Sequence, residues 1–112
     1  MPLELKEQDN LSIIKLSGRL DVHYSSPLEK EIDAIVTNKP ENNLIFNFQE
    51  VDYMSSTAIR IFIHLKKELE EENRKIKLCC MNKIVDEVFK ITGLTSSFEI
   101  FPSESAAIES FK

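Results

Sequence analysis

Apolar and polar residues alternate at the start of the chain: Leu3 and Leu5 are separated by Glu4 and Lys6, and beyond Asp9-Asn10 a second run, Leu11 to Leu16, carries Ile13 and Ile14. Period-two patterning on both sides of a turn-prone pair predicts an antiparallel hairpin. The period then changes. Ser26 reads as a helix N-cap, Pro27 as the first helical residue, and Glu29, three residues after the cap, completes a capping box. Leu28, Ile32, Ile35 and Val36 follow on one stripe, which must pack against something, and the helix is expected to stop before Pro40.

Leu44-Ile45-Phe46-Asn47-Phe48 is short, β-prone and bounded by polar residues, as befits a strand in the middle of a covered sheet. After Ser55-Ser56-Thr57 a helical pattern runs to about Glu72. Ala58, Ile61, Leu65 and Leu69 lie along its stripe, Ile59 and Phe62 beside it, and Lys66/Glu70 and Lys67/Glu71 form i, i+4 pairs on the wet side. Ile76 to Cys80 is the next strand. Asn82 caps a helix carrying Ile84, Val85, Val88, Phe89 and Ile91, and Gly93 ends it as a left-handed residue. Phe98 to Phe101 is a final short strand, and Pro102-Ser103 introduce a terminal helix with Ala106, Ala107 and Phe111. A hairpin followed by helix-strand alternation predicts an α/β fold with a mixed sheet, later strands parallel, and about four helices. Ile32, Ile35, Phe46, Ile61, Leu65 and Val88 are the expected core.

The length of 112 residues, 42% hydrophobic, suits one domain spanning 1–112. No apolar run reaches the roughly 20 residues of a membrane span, and the start of the chain lacks the basic and apolar segments of a signal peptide, so the cytoplasm is the expected compartment. A net charge of −5 with interspersed signs argues against direct nucleic-acid binding. Adjacent Cys79 and Cys80 read as reduced thiols in a buried strand, and two distant glycines, Gly18 and Gly93, build no phosphate-cradling loop. No cofactor or metal site is expected: neither His23 nor His64 has a second ligand at metal-binding spacing.

In open α/β sheets function gathers where strands hand over to helix N-termini. Here the strand at Phe46-Phe48 leads through Val51-Asp52-Tyr53-Met54 into Ser55-Ser56-Thr57, three hydroxyls at the positive end of a helix dipole. They suit helix capping first, and a phosphoacceptor role is chemically compatible with it, because unpaired N–H groups there accommodate a phosphate. Asp21, after Gly18-Arg19-Leu20, is either a loop cap or part of the same functional surface. A hydrolase built on Ser56 with His23 or His64 lacks a recognisable nucleophile elbow.

Taken in order, Gly18-Arg19-Leu20-Asp21, the strand 44–48, Val51-Asp52-Tyr53-Met54-Ser55-Ser56-Thr57-Ala58-Ile59-Arg60, Ile91-Thr92-Gly93-Leu94 and Phe98-Glu99-Ile100-Phe101 resemble the STAS domain, a family named for sulphate transporters and anti-sigma factor antagonists. The likeness covers nearly the whole chain. In phosphoregulated members the segment usually reads Asp-Ser-Ser-Gly-Leu or Asp-Ser-Thr-Gly-Leu, the first Ser being phosphorylated, which implies that role for Ser56. Ser55 stands in place of the usual Asp and Ala58 in place of the usual Gly; family variants reading Ile-Ser-Ser-Ala-Gly-Leu-Arg give Ser55 and Arg60 precedent. The resemblance implies no catalytic residue of its own and a partner-binding surface of Asp21, Ser55, Ser56, Thr57 and Arg60. The implied partners are an anti-sigma factor/serine kinase of the histidine-kinase-like ATPase type, which supplies ATP and Mg²⁺, and a PP2C-type phosphatase. The alternative is a non-phosphorylated STAS scaffold subunit of a signalling or lipid-transport assembly, in which the serines only cap the helix.

Overall fold

The computed structural model describes residues 3–112. Strands β1 (Leu3–Gln8) and β2 (Leu11–Leu20) form the expected antiparallel hairpin, with Leu5 opposite Ile14. Asp9 and Asn10 turn it with φ of 47° and 66°, the left-handed pair that a two-residue hairpin turn with primed geometry requires and that Asp and Asn tolerate. There follow α1 (Val22–Asn38), β3 (Asn43–Met54), α2 (Ser56–Glu71), β4 (Ile76–Cys79), α3 (Lys83–Ile91), a 3-10 turn at Thr95–Ser97, β5 (Glu99–Phe101) and α4 (Glu104–Glu109). The five strands lie in chain order, the first pair antiparallel and the rest parallel.

The sheet separates two apolar layers. On one face, Leu28 and Ile32 of α1, the α2 stripe Ala58, Ile61, Phe62, Leu65 and Leu69, and Val85 and Phe89 of α3 pack on Ile14, Leu16, Phe46, Phe48 and Leu78. Edge-to-face rings run through this layer: Phe46–Phe62 at 5.0 Å, Phe48–Phe62 at 5.4 Å, Phe48–Phe89 at 6.1 Å and Phe89–Phe98 at 5.8 Å between centroids. On the other face, Ala107 of α4 closes over Leu11, Ile13, Ile45 and Cys79, with Phe101, Ile108 and Phe111 at its margin. Lys77, 4% exposed, pins this cover: its Nζ donates to Ser110 Oγ at 2.8 Å and lies 4.1 Å from the Phe111 ring centroid.

The first helix corrects the sequence reading. Ser26 is not its N-cap and Pro27 is not its first residue; Asp21 is the cap, and Pro27 lies inside the helix. The carboxylate of Asp21 accepts from the N–H groups of both His23 and Tyr24, so a second cap further along is not needed. Pro27 is exposed, and the carbonyl it leaves without a helical donor belongs to His23, another exposed residue. Of the expected core, Ile32, Phe46, Ile61 and Leu65 are buried, while Ile35 and Val88 are half-buried against its edge. Ile84 and Ile91 do not join the α3 stripe, and Ile91 is 80% exposed, because a helix contacting the sheet through Val85 and Phe89 turns both residues to its flank. Cys80 has left the strand, at φ 60°, and is half-exposed, whereas Cys79 is buried; both are free thiols.

The remaining ends behave as their residues dictate. Asn82 accepts from the Val85 N–H at 3.0 Å, and Gly93 (φ 74°) closes α3 with paired bonds, Gly93 N–H to Lys90 O at 3.1 Å and Leu94 N–H to Phe89 O at 2.9 Å. Arg74, 5% exposed, donates to the carbonyls of Val36, Lys39 and Asn42 and so satisfies the end of α1 and the turn after it. Lys66 and Glu70 pair at 3.1 Å. No described helix is long and apolar enough to cross a membrane.

Candidate functional site

Parallel pairing brings the ends of β2 and β3 together. Leu20 pairs with Met54, and the Ser55 N–H donates to the Leu20 carbonyl at 2.9 Å, so the residues that open α1 and α2, Asp21 and Ser55, stand next to one another. The register slips at two places just before this point, between Lys15 and Ser17 and between Gly18 and Arg19, and Gly18 takes φ 80°, which an L side chain resists. Beyond that bulge the Arg19 guanidinium lies 4.4 Å from the centroid of the Tyr53 ring, and its Nε is 3.9 Å from the Asp21 carboxylate.

The three hydroxyls at the start of α2 divide their work. Ser55 is the N-cap, its Oγ accepting from the Ala58 N–H at 3.1 Å. Ser56 is the first helical residue, exposed and free of any capping role, and Thr57 is half-buried. Thr57 and Arg60 face Val22, Ser25, Ser26 and Glu29 of α1 across a shallow groove of about 360 Å³, with His64 further along α2. Asp21, Ser55, Ser56, Thr57 and Arg60 thus share one corner of the molecule, at the carboxyl ends of β2 and β3 and the first turns of α1 and α2. The groove, with exposed Val22, Glu29 and Arg60 in its lining, offers a mixed apolar and charged surface of the kind protein interfaces use.

Among the described residues no hydrogen bond joins Ser56 to His23 or His64, and His64 instead meets Glu68 at 3.1 Å. The geometry holds no nucleophile-base pair there. Nor does any group of three or more His, Cys, Asp or Glu among the described residues form a metal site. The stacking of Arg19 on Tyr53 has no local signal in the sequence, because the two lie 34 positions apart and meet only through the β2–β3 register.

A larger hollow, about 870 Å³, lies over the second face of the sheet beside α4, and none of the five corner residues lines it. One ion pair, Lys6–Glu104, lies within its lining. Glu104 accepts from Lys6 Nζ at 2.7 Å and from Asn47 Nδ2 at 3.1 Å, and the lysine contact holds its carboxyl below the usual range.

A family model described as the STAS domain matches residues 2–107. The chain is similar to BtrV of Bordetella bronchiseptica, named a candidate anti-sigma factor antagonist, at 31% identity over 112 residues, 100% of this chain and 96% of that one. Its fold is similar to that of the anti-sigma factor antagonist SpoIIAA in unphosphorylated form (TM-score 0.82, 23% identity, 97% of this chain and 95% of that one). The phosphorylated form of SpoIIAA, a Bacillus cell fate determinant, superposes with a TM-score of 0.75 at 22% identity, covering 98% and 99%.

Proposed function

The chain belongs to the STAS domain family, and from that premise we propose that it acts as an anti-sigma factor antagonist, a binding module whose docking is controlled by phosphorylation of Ser56. The partner is an anti-sigma factor that is also a serine kinase of the histidine-kinase-like ATPase type. ATP and Mg²⁺ bind to that partner. The γ-phosphoryl group passes to Ser56 Oγ, which gives up its proton, and ADP leaves; a PP2C-type phosphatase hydrolyses the ester again. The role asks for no catalytic group of this chain, and residues 1–112 act as one domain in the cytoplasm.

The observation that carries this reading is the division of labour between neighbouring serines. Ser55 holds the helix cap, which leaves the Ser56 hydroxyl exposed on the first turn, in the corner shared with Asp21, Thr57 and Arg60. A helix start tolerates the added charge, so the modification acts on the complex and not on the fold. A penalty of about 3–4 kcal/mol at the interface weakens binding several hundred-fold.

The test is mass-spectrometric mapping after incubation with the cognate kinase and ATP, beside affinities of Ser56→Ala and Ser56→Asp. Phosphate on Ser56, tight binding by the alanine variant and weak binding by the aspartate variant are expected, with both melting near the wild type. Phosphate confined to Ser55 or Thr57 moves the site. No phosphate at all favours the second reading, a STAS scaffold subunit of a signalling or lipid-transport assembly, for which the observation is Ser55: it replaces an acid and its Oγ is occupied by the Ala58 N–H.

A further inference from the structure

The sequence contains three arginines, Arg19, Arg60 and Arg74. Arg74 is buried and spent on the carbonyls of Val36, Lys39 and Asn42. Arg19 is engaged by the Tyr53 ring and the Asp21 carboxylate. Arg60 is exposed on α2, lines the groove toward α1, and has no ion-pair partner within 4.0 Å among the described residues. It also lies four residues after Ser56 in a continuous helix, and residues at that spacing sit one above the other with Cβ atoms about 5–6 Å apart.

We propose that Arg60 is the residue that receives the phosphate carried by Ser56, within the same chain, so that phosphorylation withdraws a cation from the docking surface as well as adding an anion. The inference rests on Ser56 being the modified serine and goes beyond it by naming the group that holds the ester. A guanidinium presents paired N–H donors in the plane that phosphate oxygens accept, which a lysine ammonium does not. Unphosphorylated, Arg60 is a free positive charge beside the α2 start, available to a carboxylate of the partner. Phosphorylated, it closes on a group of about −1.5 to −2 charges, and its corner of the surface changes sign. Arg19 contributes less, because moving it toward Ser56 breaks its stacking on Tyr53. The other titratable and charged groups of the corner are Glu29 and His64 in the groove, and Asp21, His23 and Asp52 around the helix starts.

The experiment installs phosphoserine at position 56 during translation and follows its second ionisation by phosphorus NMR in otherwise wild-type protein and in Arg60→Gln, Arg60→Lys and Arg19→Gln backgrounds. Each protein is checked for an unchanged melting temperature. A neighbouring guanidinium favours the dianion, so its removal raises the pKa; for an exposed pair the rise is about 0.2–0.7 unit. Arg60→Gln should show that rise, Arg60→Lys part of it, and Arg19→Gln little. The fixed groups of the corner are common to all four proteins and cancel in the differences. Identical titrations for wild type and Arg60→Gln overturn the inference, as does a shift produced by Arg19→Gln alone. Because the ester is encoded, the result does not pass through a kinase: site mapping that finds Ser56 spared sinks the switch proposed above, whereas a flat titration sinks Arg60 as the receiver.

Discussion

Replacing Asp21 by alanine removes the acceptor for two backbone N–H groups, those of His23 and Tyr24, at the start of α1. Loss of a side-chain N-cap costs about 0.5–2 kcal/mol. The ion pair with Arg19 adds little, since Arg19 is 64% exposed and 3.9 Å away. At about 2.1 cal/mol/K of unfolding entropy per residue, a chain of 112 residues loses roughly 4 °C of melting temperature per kcal/mol, so Asp21→Ala should melt about 2–8 °C lower. Asp21→Asn keeps the accepting oxygen and should stay within about 0.5 kcal/mol of wild type. Ser26→Ala is the informative partner: the residue is exposed and inside the helix, where alanine is the better former, so it should be neutral or slightly stabilising. Urea unfolding followed by far-UV circular dichroism, with equal slopes for all variants, measures the series. A cost of about 1 kcal/mol for Ser26→Ala beside a neutral Asp21→Ala would place the helix start at Ser26 and refute the assignment.

Leu65, 4% exposed on the α2 stripe, should lose about 2–5 kcal/mol on replacement by alanine in the same assay; a change below about 0.5 kcal/mol would show the wrong face of α2 against the sheet. Burial pushes the Cys79 thiol well above its ordinary pKa, whereas Cys80 is half-exposed on the rim of the large hollow. Alkylation of native protein near pH 8, read by peptide mass spectrometry, should therefore modify Cys80 at least about tenfold faster than Cys79, and equal rates would contradict the packing. Glu104 is held below its usual value of 4.5, chiefly by the hydrogen bond from Lys6. Its stabilisation is complete above that unfolded value and is lost as pH falls through the lower folded one, so wild type and Glu104→Gln should differ in stability near neutrality and converge in acid. A gap that widens toward acid would refute it.

The elements most legible in the sequence are those whose signal is local. The α2 stripe, the Asp9-Asn10 hairpin, the Asn82 cap and the Gly93 terminus each depend on residues within about a turn of one another, and each stands as expected. The start of α1 is not legible in the sequence because Ser26-Pro27 with Glu29 imitates a capping box, and nothing local ranks it against Asp21 five residues earlier. The extension of β3 to Met54 was hidden for a different reason: its outer half is held by pairing with the bulged end of β2, a long-range partner. Long-range pairing also conceals why Lys77 and Arg74 are buried, since each is matched by carbonyls, hydroxyls or rings supplied from more than 30 positions away. For the candidate site, the pattern pointed to the strand-to-helix corner and its three hydroxyls, which the fold brings beside Asp21. It did not reveal that Ser55 rather than Ser56 carries the cap, or that Arg19 is already occupied while Arg60 is not.

Strand order that follows chain order has one further effect. Each of the three helical crossovers steps in the same direction across the sheet, and α1, α2 and α3 all fall on the same side. In doubly wound sheets a crevice for a nucleotide or coenzyme opens where the order of strands reverses and successive helices part to opposite sides. This sheet has no such reversal. The first turns of α1 and α2 stand shoulder to shoulder as a continuous, broad and shallow shelf, the shape that the docking proposed for this corner uses. On that proposal, outward side chains such as Val22, Tyr53 and Arg60 set its specificity, and exchanging them leaves the layer of rings beneath undisturbed.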